Sequence, residues 1–520
     1  MRVLTLEISG SNQTKFARLP ALNLLALKAA SSFGAGAHSV NSLTEELPDI
    51  RFSWHPGKPA RNTPEEYRRR VTCGHVANQR RRSDETFRAG FPGAYIAPRR
   101  NNDRQAEVHM DNGMAGAGQR SARRKRSSPV TSRGWLCATA IGAILFSAGS
   151  SAQVIDKDRA KRIYDRIAGV PATDAQLNTM AGGTAIAAAQ LATQDPAFYN
   201  NTIRNLAAPW TNRDQSVFVP LNDYTATVVG MVRDNVPFNT LLSADIIYIA
   251  DGATGVPAYS NVNNDMYEAL DSDGTDLSVH LVQRSQSSVT GLASAATAGV
   301  MTTRGAASAF FINGTNRAMF RFTMMNHLCS DLQTIPDTTR PPDRIRQDVT
   351  RSPGGDSSLF LNNCIECHSG MDPMAQAFAY YNFSYNMATD PNGTAGQLVY
   401  TAGQVQPKYS INTNNFPQGF ITPNDDWNNR WRSGVNSLLG WDPSQSGSGA
   451  GAKSLGQELE GSAAFASCQV TRVFKYVCLR SPTNSGDTNQ ITTMIASFKT
   501  NNYSLRQSFI DAAVYCTAGM

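Results

Sequence analysis

Two cysteines and a histidine stand close together about two-thirds of the way along the chain. Cys364, Cys367 and His368 form the pattern C-x-x-C-H. Two thiols three residues apart on a helical turn can reach the two vinyl groups on one edge of a porphyrin and form thioethers. The histidine that follows then faces the iron and supplies an imidazole ligand. The spacing therefore predicts one covalently attached haem c, with His368 as the proximal iron ligand.

A zinc site and a redox dithiol are the two alternatives for this motif. A structural zinc site needs four ligands, and only His280 and His327 remain as other histidines after residue 152. A redox-active C-x-x-C is expected near a βαβ pattern, which the surrounding sequence lacks. The sequence favours haem over both.

The residue on the other side of the iron decides what such a haem can do. Candidates for this distal ligand are, in order of preference, Met387, His327, His280 and Met494. Met371 and Met374 follow His368 so closely that we expect them on its own side of the ring. Met/His ligation raises the reduction potential and suits electron transfer, whereas an open or water-bound position allows a small molecule to bind.

A segment typical of a secretory signal lies well inside the chain. Basic residues at 123–126 precede the apolar run 135–148, and Ser150-Ser151-Ala152 resembles a cleavage site. Residues 110–152 are therefore predicted to be a signal peptide, and residues 1–109 an over-extended start without a readable domain. The alternative is a cytosolic N-terminal domain followed by an internal apolar helix. The signal predicts a periplasmic or otherwise exported bacterial protein.

The distribution of charge argues against a nucleic-acid binder. Residues 1–152 hold 23 of the 48 Lys and Arg but 11 of the 41 Asp and Glu, whereas residues 153–520 hold 25 and 30. The predicted mature chain therefore has a net charge of −5 and lacks the basic surface that nucleic acid needs. No apolar run in it reaches the length of a transmembrane helix.

Four further cysteines follow residue 152, and export would allow them to form disulfides. Cys468 and Cys478 are ten residues apart on one predicted helix, about 15 Å along its axis. They cannot pair with each other if that helix is continuous. Each is expected to bond to Cys329 or Cys516, and buried free thiols are the alternative.

Helical patterns dominate the predicted mature chain, so its fold class is predicted as mainly α. Residues 153–335 are predicted to form an N-terminal helical domain of unknown role. Residues 336–520 are predicted to form a cytochrome c-like haem domain with long loops. Asp223 is the predicted N-cap of one helix. Ser454 with Gln457 forms a capping-box pattern ahead of a helix through about Val477, and Ser504 with Gln507 repeats that pattern.

The block Cys364–Met374, with the sequence CIECHSGMDPM, resembles the haem-bearing module of planctomycete-type cytochrome c proteins. Softer similarity extends over roughly residues 295–516. The chain departs from the family after the Met-Asp-Pro unit. Those families often continue with a Gly-Phe and a Glu-Asn-Phe-Asp run, whereas this chain has Met374–Phe378 and Tyr381–Ser384. The resemblance implies a haem cofactor and an architecture, but no substrate.

These observations predict an exported monohaem c-type cytochrome that carries out single-electron transfer. Its partners would be a redox partner protein and the cytochrome c maturation machinery. One alternative is a haem enzyme of oxidase or peroxidase type, with an open distal iron position. A second alternative is a module that binds a partner protein or a polysaccharide and uses the haem as a relay.

Overall fold

The structure is a computed structural model, and it describes residues 154–312, 314–410 and 412–518. These residues are mainly helical, with little strand, which confirms the predicted class. The predicted over-extended start (1–109) and signal peptide (110–152) lie outside the described residues.

The first helices fill the part of the chain before the C-x-x-C-H motif. They are α1 (Lys157–Ala168), α2 (Asp174–Met180), α3 (Ala185–Ala192), α4 (Arg204–Ala207), α5 (Asp223–Arg233), α6 (Asp265–Ser272), α7 (Leu277–His280), α8 (Gln286–Thr290), α9 (Arg304–Phe310) and α10 (Arg317–His327). The remaining helices are α11 (Ser357–Leu359), α12 (Ile365–Ala375), α13 (Gly451–Glu460), α14 (Ala463–Cys478), α15 (Ser485–Thr500) and α16 (Leu505–Cys516).

Six short strands form antiparallel pairs within the described ranges. They are β1 (Ile247–Ala250), β2 (Leu281–Arg284), β3 (Tyr381–Ser384), β4 (Gln397–Tyr400), β5 (Asp426–Asn428) and β6 (Ser448–Ala450). β1 pairs with β2, β3 with β4 and β5 with β6, and Tyr381 lies opposite Tyr400 in the second pair. In each pair an intervening segment joins the two strands, and between β1 and β2 this segment contains helices α6 and α7.

Helices from both ends of the described chain pack together. α16 packs against α14 and α15 and also against α1 and α3. The principal hydrophobic core runs through these contacts and includes residues from Ile155 to Cys516. α1 begins at the N-cap Asp156 and ends at Gly169, whose φ of 73° is the left-handed conformation that favours glycine at this position.

One disulfide joins the segment after α10 to α14, and another joins α14 to α16. Cys329 bonds to Cys468, and Cys478 bonds to Cys516. Cys468 and Cys478 lie on the same helix, α14, which separates them along its axis. The prediction that each bonds to Cys329 or Cys516 is confirmed, and the structure fixes which one.

Two predicted helix starts are wrong in position. Asn222, not Asp223, caps α5, because its side chain accepts the backbone N–H of Thr225. Ser454 lies inside α13 rather than at its start, and its hydroxyl donates to the carbonyl of Ala450. The long helix predicted to begin there is two helices, α13 and α14, and the second begins at the N-cap Ser462. Ser504 caps α16 as expected.

Helix α12, which carries part of the motif, packs against elements that come before and after it in the chain. α10 packs against it, and so do β5 and the 3-10 turn Arg430–Arg432. Trp431 in that turn is fully buried. None of the helices among the described residues has the length and the apolar character that crossing a membrane requires.

Candidate functional site

The C-x-x-C-H motif spans the junction between a π-helical turn, Phe360–Cys364, and helix α12. Cys364 ends the turn and is 1% exposed. Cys367 and His368 lie in the first turn of α12 and are half-buried. π-Helical turns are rare and occur frequently at functional sites. The junction places one sulfur below the surface and leaves the second sulfur and the imidazole closer to solvent.

Apolar side chains surround the first cysteine of the motif. Cys364 belongs to a small buried cluster whose other members are Ile345, Val349 and Phe360. Leu359 and Leu361, in the same stretch, are 42% and 55% exposed. Apolar surface beside a buried attachment residue suits a flat, largely apolar ligand. Leu359 and Leu361 are the exposed apolar side chains in this stretch that such a ligand could cover.

The imidazole of His368 has a carboxylate partner on its own helix. Nδ1 of His368 lies 3.2 Å from Oδ1 of Asp372, one helical turn further on. Histidines that bind metals commonly donate their other ring N–H to such an acceptor, which fixes the orientation of the ring. With Nδ1 engaged, Nε2 is the nitrogen available to a metal, and the described residues give it no hydrogen bond. His368 thus fits the role of an axial ligand.

Asp372 is itself held by a half-buried arginine. Nε and Nη2 of Arg317 donate to its two carboxylate oxygens at 2.6 and 2.9 Å. The same guanidinium donates to both oxygens of Asp348 at 2.6 and 2.9 Å. Burial alone would raise the pKa of Asp372, but the charge of Arg317 holds it well below its usual range. Asp372 is therefore an ionised acceptor.

The second cysteine of the motif is a free thiol. Its sulfur lies 3.7 Å from the carbonyl oxygen of Leu332, to which the thiol donates. Burial, followed by the nearby charges of Glu366 and Asp331, raises the pKa of Cys367 to about 12. The thiolate, not the thiol, is the species that exchanges with disulfides. This environment disfavours the redox-dithiol alternative.

Cys364 takes part in a disulfide in this structure, and a thioether to haem would use the same sulfur, so the two bonds exclude each other.

Three of the distal candidates have other partners or lie in the core. Nε2 of His327 lies 2.6 Å from the hydroxyl of Tyr224, and its ring stacks on Phe465. Burial lowers the pKa of His327 well below its usual value, so it is neutral. His280 pairs with Asp251 through Nδ1 at 3.1 Å. Met494 is fully buried in the helical core.

Met387, the preferred distal candidate, lies on the turn after β3 and is 63% exposed. Met371 and Met374 are buried on α12 itself. Iron ligation by Met387 stays a prediction, and it would require that turn to cover the haem face.

Three tryptophans follow β4, and one of them, Trp431, packs against the motif helix. The indole of Trp431 lies so close to Gly370 that a Cβ there would come within 2.0 Å of its Nε1. Trp441 donates its N–H to the carbonyl of Trp431 at 2.9 Å, and Trp427 donates to the hydroxyl of Ser454 at 2.8 Å. These contacts are those of buried side chains packed under the long segment between β4 and α13.

The carboxylate network behind His368 was not predicted from the sequence. His368 and Asp372 are four residues apart on a helix, a spacing that places them on one face. That spacing was a usable signal for the pair. Arg317 and Asp348 come from distant parts of the chain, and no local pattern relates them to the motif.

No protein-family model matches this chain, and neither does any curated protein or any solved structure. In the described part of the chain, no group of three or more His, Cys, Asp and Glu side chains is arranged to hold a metal ion.

Proposed function

We propose that this protein is an exported monohaem c-type cytochrome that transfers single electrons. The observation that carries the proposal is the C-x-x-C-H motif, on a helix where a buried carboxylate holds Nδ1 of His368 and leaves Nε2 for iron. A structural zinc site would need further ligands beside the motif. The raised pKa of Cys367 makes a dithiol role less suitable.

Each residue of the site has a distinct task in this proposal. Cys364 and Cys367 would tether the porphyrin, and His368 would bind its iron. Leu359 and Leu361 would lose their exposure to water against the apolar part of the ring, a favourable change. Bound haem supplies a one-electron couple at its iron. The remaining task of the chain is to orient His368 and to keep water from the ligand.

The charge of the predicted mature chain suggests the kind of redox partner. Residues 153–520 carry 25 basic and 30 acidic side chains. A net negative protein steers a positively charged partner over distances of about a Debye length. We therefore expect electron transfer with a basic partner to slow as the ionic strength rises.

The proposal is tested by exporting the full chain in a host that has a working cytochrome c maturation apparatus. A haem stain of the denatured protein and an optical spectrum of the native protein are recorded. The expected result is a stained band that survives denaturation. Replacing Cys364 and Cys367 with Ala should abolish it. Replacing Cys478 and Cys516 with Ala should leave the stain in place, because that pair lies outside the motif.

A haem enzyme with an open distal position is the second candidate function. It is favoured by the exposure of Met387 and by the partners that already engage His327 and His280. The optical spectrum separates the two candidates. A weak far-red band from Met–iron ligation supports electron transfer, whereas a high-spin ferric spectrum supports catalysis at an open site.

A further inference from the structure

The acceptor behind His368 determines which of its ring nitrogens can bind a metal. A neutral imidazole has one N–H and one lone pair, and an ionised carboxylate can only accept a hydrogen bond. The contact of Nδ1 with Oδ1 of Asp372 therefore requires the proton on Nδ1. The lone pair is then on Nε2. Asp372 fixes the metal-binding tautomer before any ligand arrives.

The position of Asp372 is determined by several independent contacts. Its side chain is fully buried, and Arg317 donates a hydrogen bond to each of its oxygens. The backbone N–H of Arg346 approaches one of these oxygens at 3.4 Å. An arginine fork fixes the plane of a carboxylate as well as its distance. The acceptor for His368 is thus rigid, and so is the direction in which the imidazole points.

The charges around Asp372 are nearly balanced. Arg317 lies between Asp372 and Asp348, and the guanidinium of Arg346 is 3.9 Å from Asp348. Two carboxylates and two guanidinium groups form a neutral cluster. Neutralising Asp372 would leave this cluster with a net charge of +1 beside the imidazole.

We propose that Asp372 is the positioning residue for the haem ligand and lowers the reduction potential of the haem by strengthening electron donation from His368. The inference rests on the proposed function. An acceptor with a full negative charge increases the basicity of a metal-bound imidazole more than a neutral acceptor does. A more basic ligand and an added negative charge both favour ferric over ferrous iron. Both effects lower the potential.

The reduction potential of the exported holoprotein tests this proposal by spectroelectrochemical titration. Asp372→Asn keeps the shape of the side chain and removes its charge, so the potential should rise. Asp372→Glu keeps the charge and should restore part of the difference. Asp348→Asn acts one step further from the imidazole, because it leaves Arg317 to pair with Asp372 alone. It should raise the potential by a smaller amount, and it remains informative if Asp372→Asn fails to fold.

Asp487→Asn is the matched control. Like Asp372, Asp487 is buried and accepts hydrogen bonds from an arginine, Arg480, on both of its oxygens. It belongs to a different helix, α15. This substitution should leave the potential unchanged, so a shift caused by lost packing alone would appear in it as well. Equal potentials in the parent, Asp372→Asn and Asp348→Asn would overturn the inference while the haem assignment stands. A parent protein without haem bands would overturn the proposed function and this inference together.

Discussion

Two buried carboxyl groups show how the partner of an acid decides its charge. Asp372 faces the guanidinium of Arg317 and stays ionised. Glu460 is 6% exposed, and among the described residues its oxygens accept only from the backbone N–H of Leu242 and the hydroxyl of Ser243. Burial raises the pKa of Glu460 to about 8, although these two hydrogen bonds lower it. Neutral donors do not offset the loss of water, whereas a paired cation does.

The raised pKa of Glu460 makes stability depend on pH. The folded protein keeps a proton that the unfolded chain releases above its ordinary pKa of 4.5. The contribution of this group is fully present below that value. It is lost as the pH rises toward about 8, by up to about 1.4 kcal/mol per pH unit. Glu460→Gln removes the titrating group, so the variant should gain stability relative to the parent as the pH rises through this window.

Urea unfolding of both proteins across that pH range measures the difference. Glu458→Gln is the control, because Glu458 lies two residues earlier on α13 and is bonded to Arg432. That variant should lose stability without following the same pH profile. Parallel profiles for the parent and Glu460→Gln would show that Glu460 is ionised in the folded protein.

At the scale of elements, the boundary between α13 and α14 shows where local patterns fail. Ser454 with Gln457 matches a capping box, yet Ser454 lies inside α13, where Trp427 donates to its hydroxyl. Ser462 starts α14 without an acidic or amide residue three positions later. The pattern therefore predicts a serine N-cap but not its position. The hydroxyl of Ser454 instead hydrogen-bonds to Trp427 and to the carbonyl of Ala450.

Ser462→Ala should lower the free energy of unfolding by about 1 kcal/mol, the usual cost of losing an N-cap. Its hydroxyl accepts the backbone N–H of Phe465 at 3.2 Å, and alanine leaves that donor unpaired. Ser462→Asn supplies an acceptor again and should restore most of the loss. The idea fails if chemical denaturation finds the asparagine variant as unstable as the alanine variant.

Gly370 permits the close approach of Trp431 to the motif helix. Gly370→Ala should cost about 1–3 kcal/mol as overpacking, even though alanine favours a helix. The same substitution in a Trp431→Phe background should cost less, because the smaller ring leaves room for the added methyl group. A double-mutant cycle of unfolding free energies measures this coupling. A coupling energy of zero would contradict the contact.

At the scale of the whole molecule, the disulfides Cys329–Cys468 and Cys478–Cys516 close separate loops. Cys329 and Cys468 are 139 residues apart, whereas Cys478 and Cys516 are 38 apart. Longer loops restrict the unfolded chain more, by roughly 1 kcal/mol for this ratio. The Ala–Ala replacement of the first pair should therefore destabilise the protein more than that of the second pair. Urea unfolding under non-reducing conditions ranks the two variants, and the reverse order would contradict the loop-entropy account.

The mainly helical class and the disulfide choices followed from the sequence, because periodicity and the spacing of Cys468 and Cys478 are local properties. The strand pairings were not predicted, since each strand has only three or four residues and exists through a distant partner, as Tyr381 does through Tyr400. The C-x-x-C-H motif could be recognised for the same reason, because its spacing is also a local property. The Arg317–Asp348 support behind it was not, because it depends on how the chain folds back on α12.

The intact mass of the exported protein after denaturation tests the central claim most directly. The account predicts the mass of the polypeptide plus one haem, and the added mass should disappear when Cys364 and Cys367 are both replaced with Ala. A mass that corresponds to the bare polypeptide would contradict it.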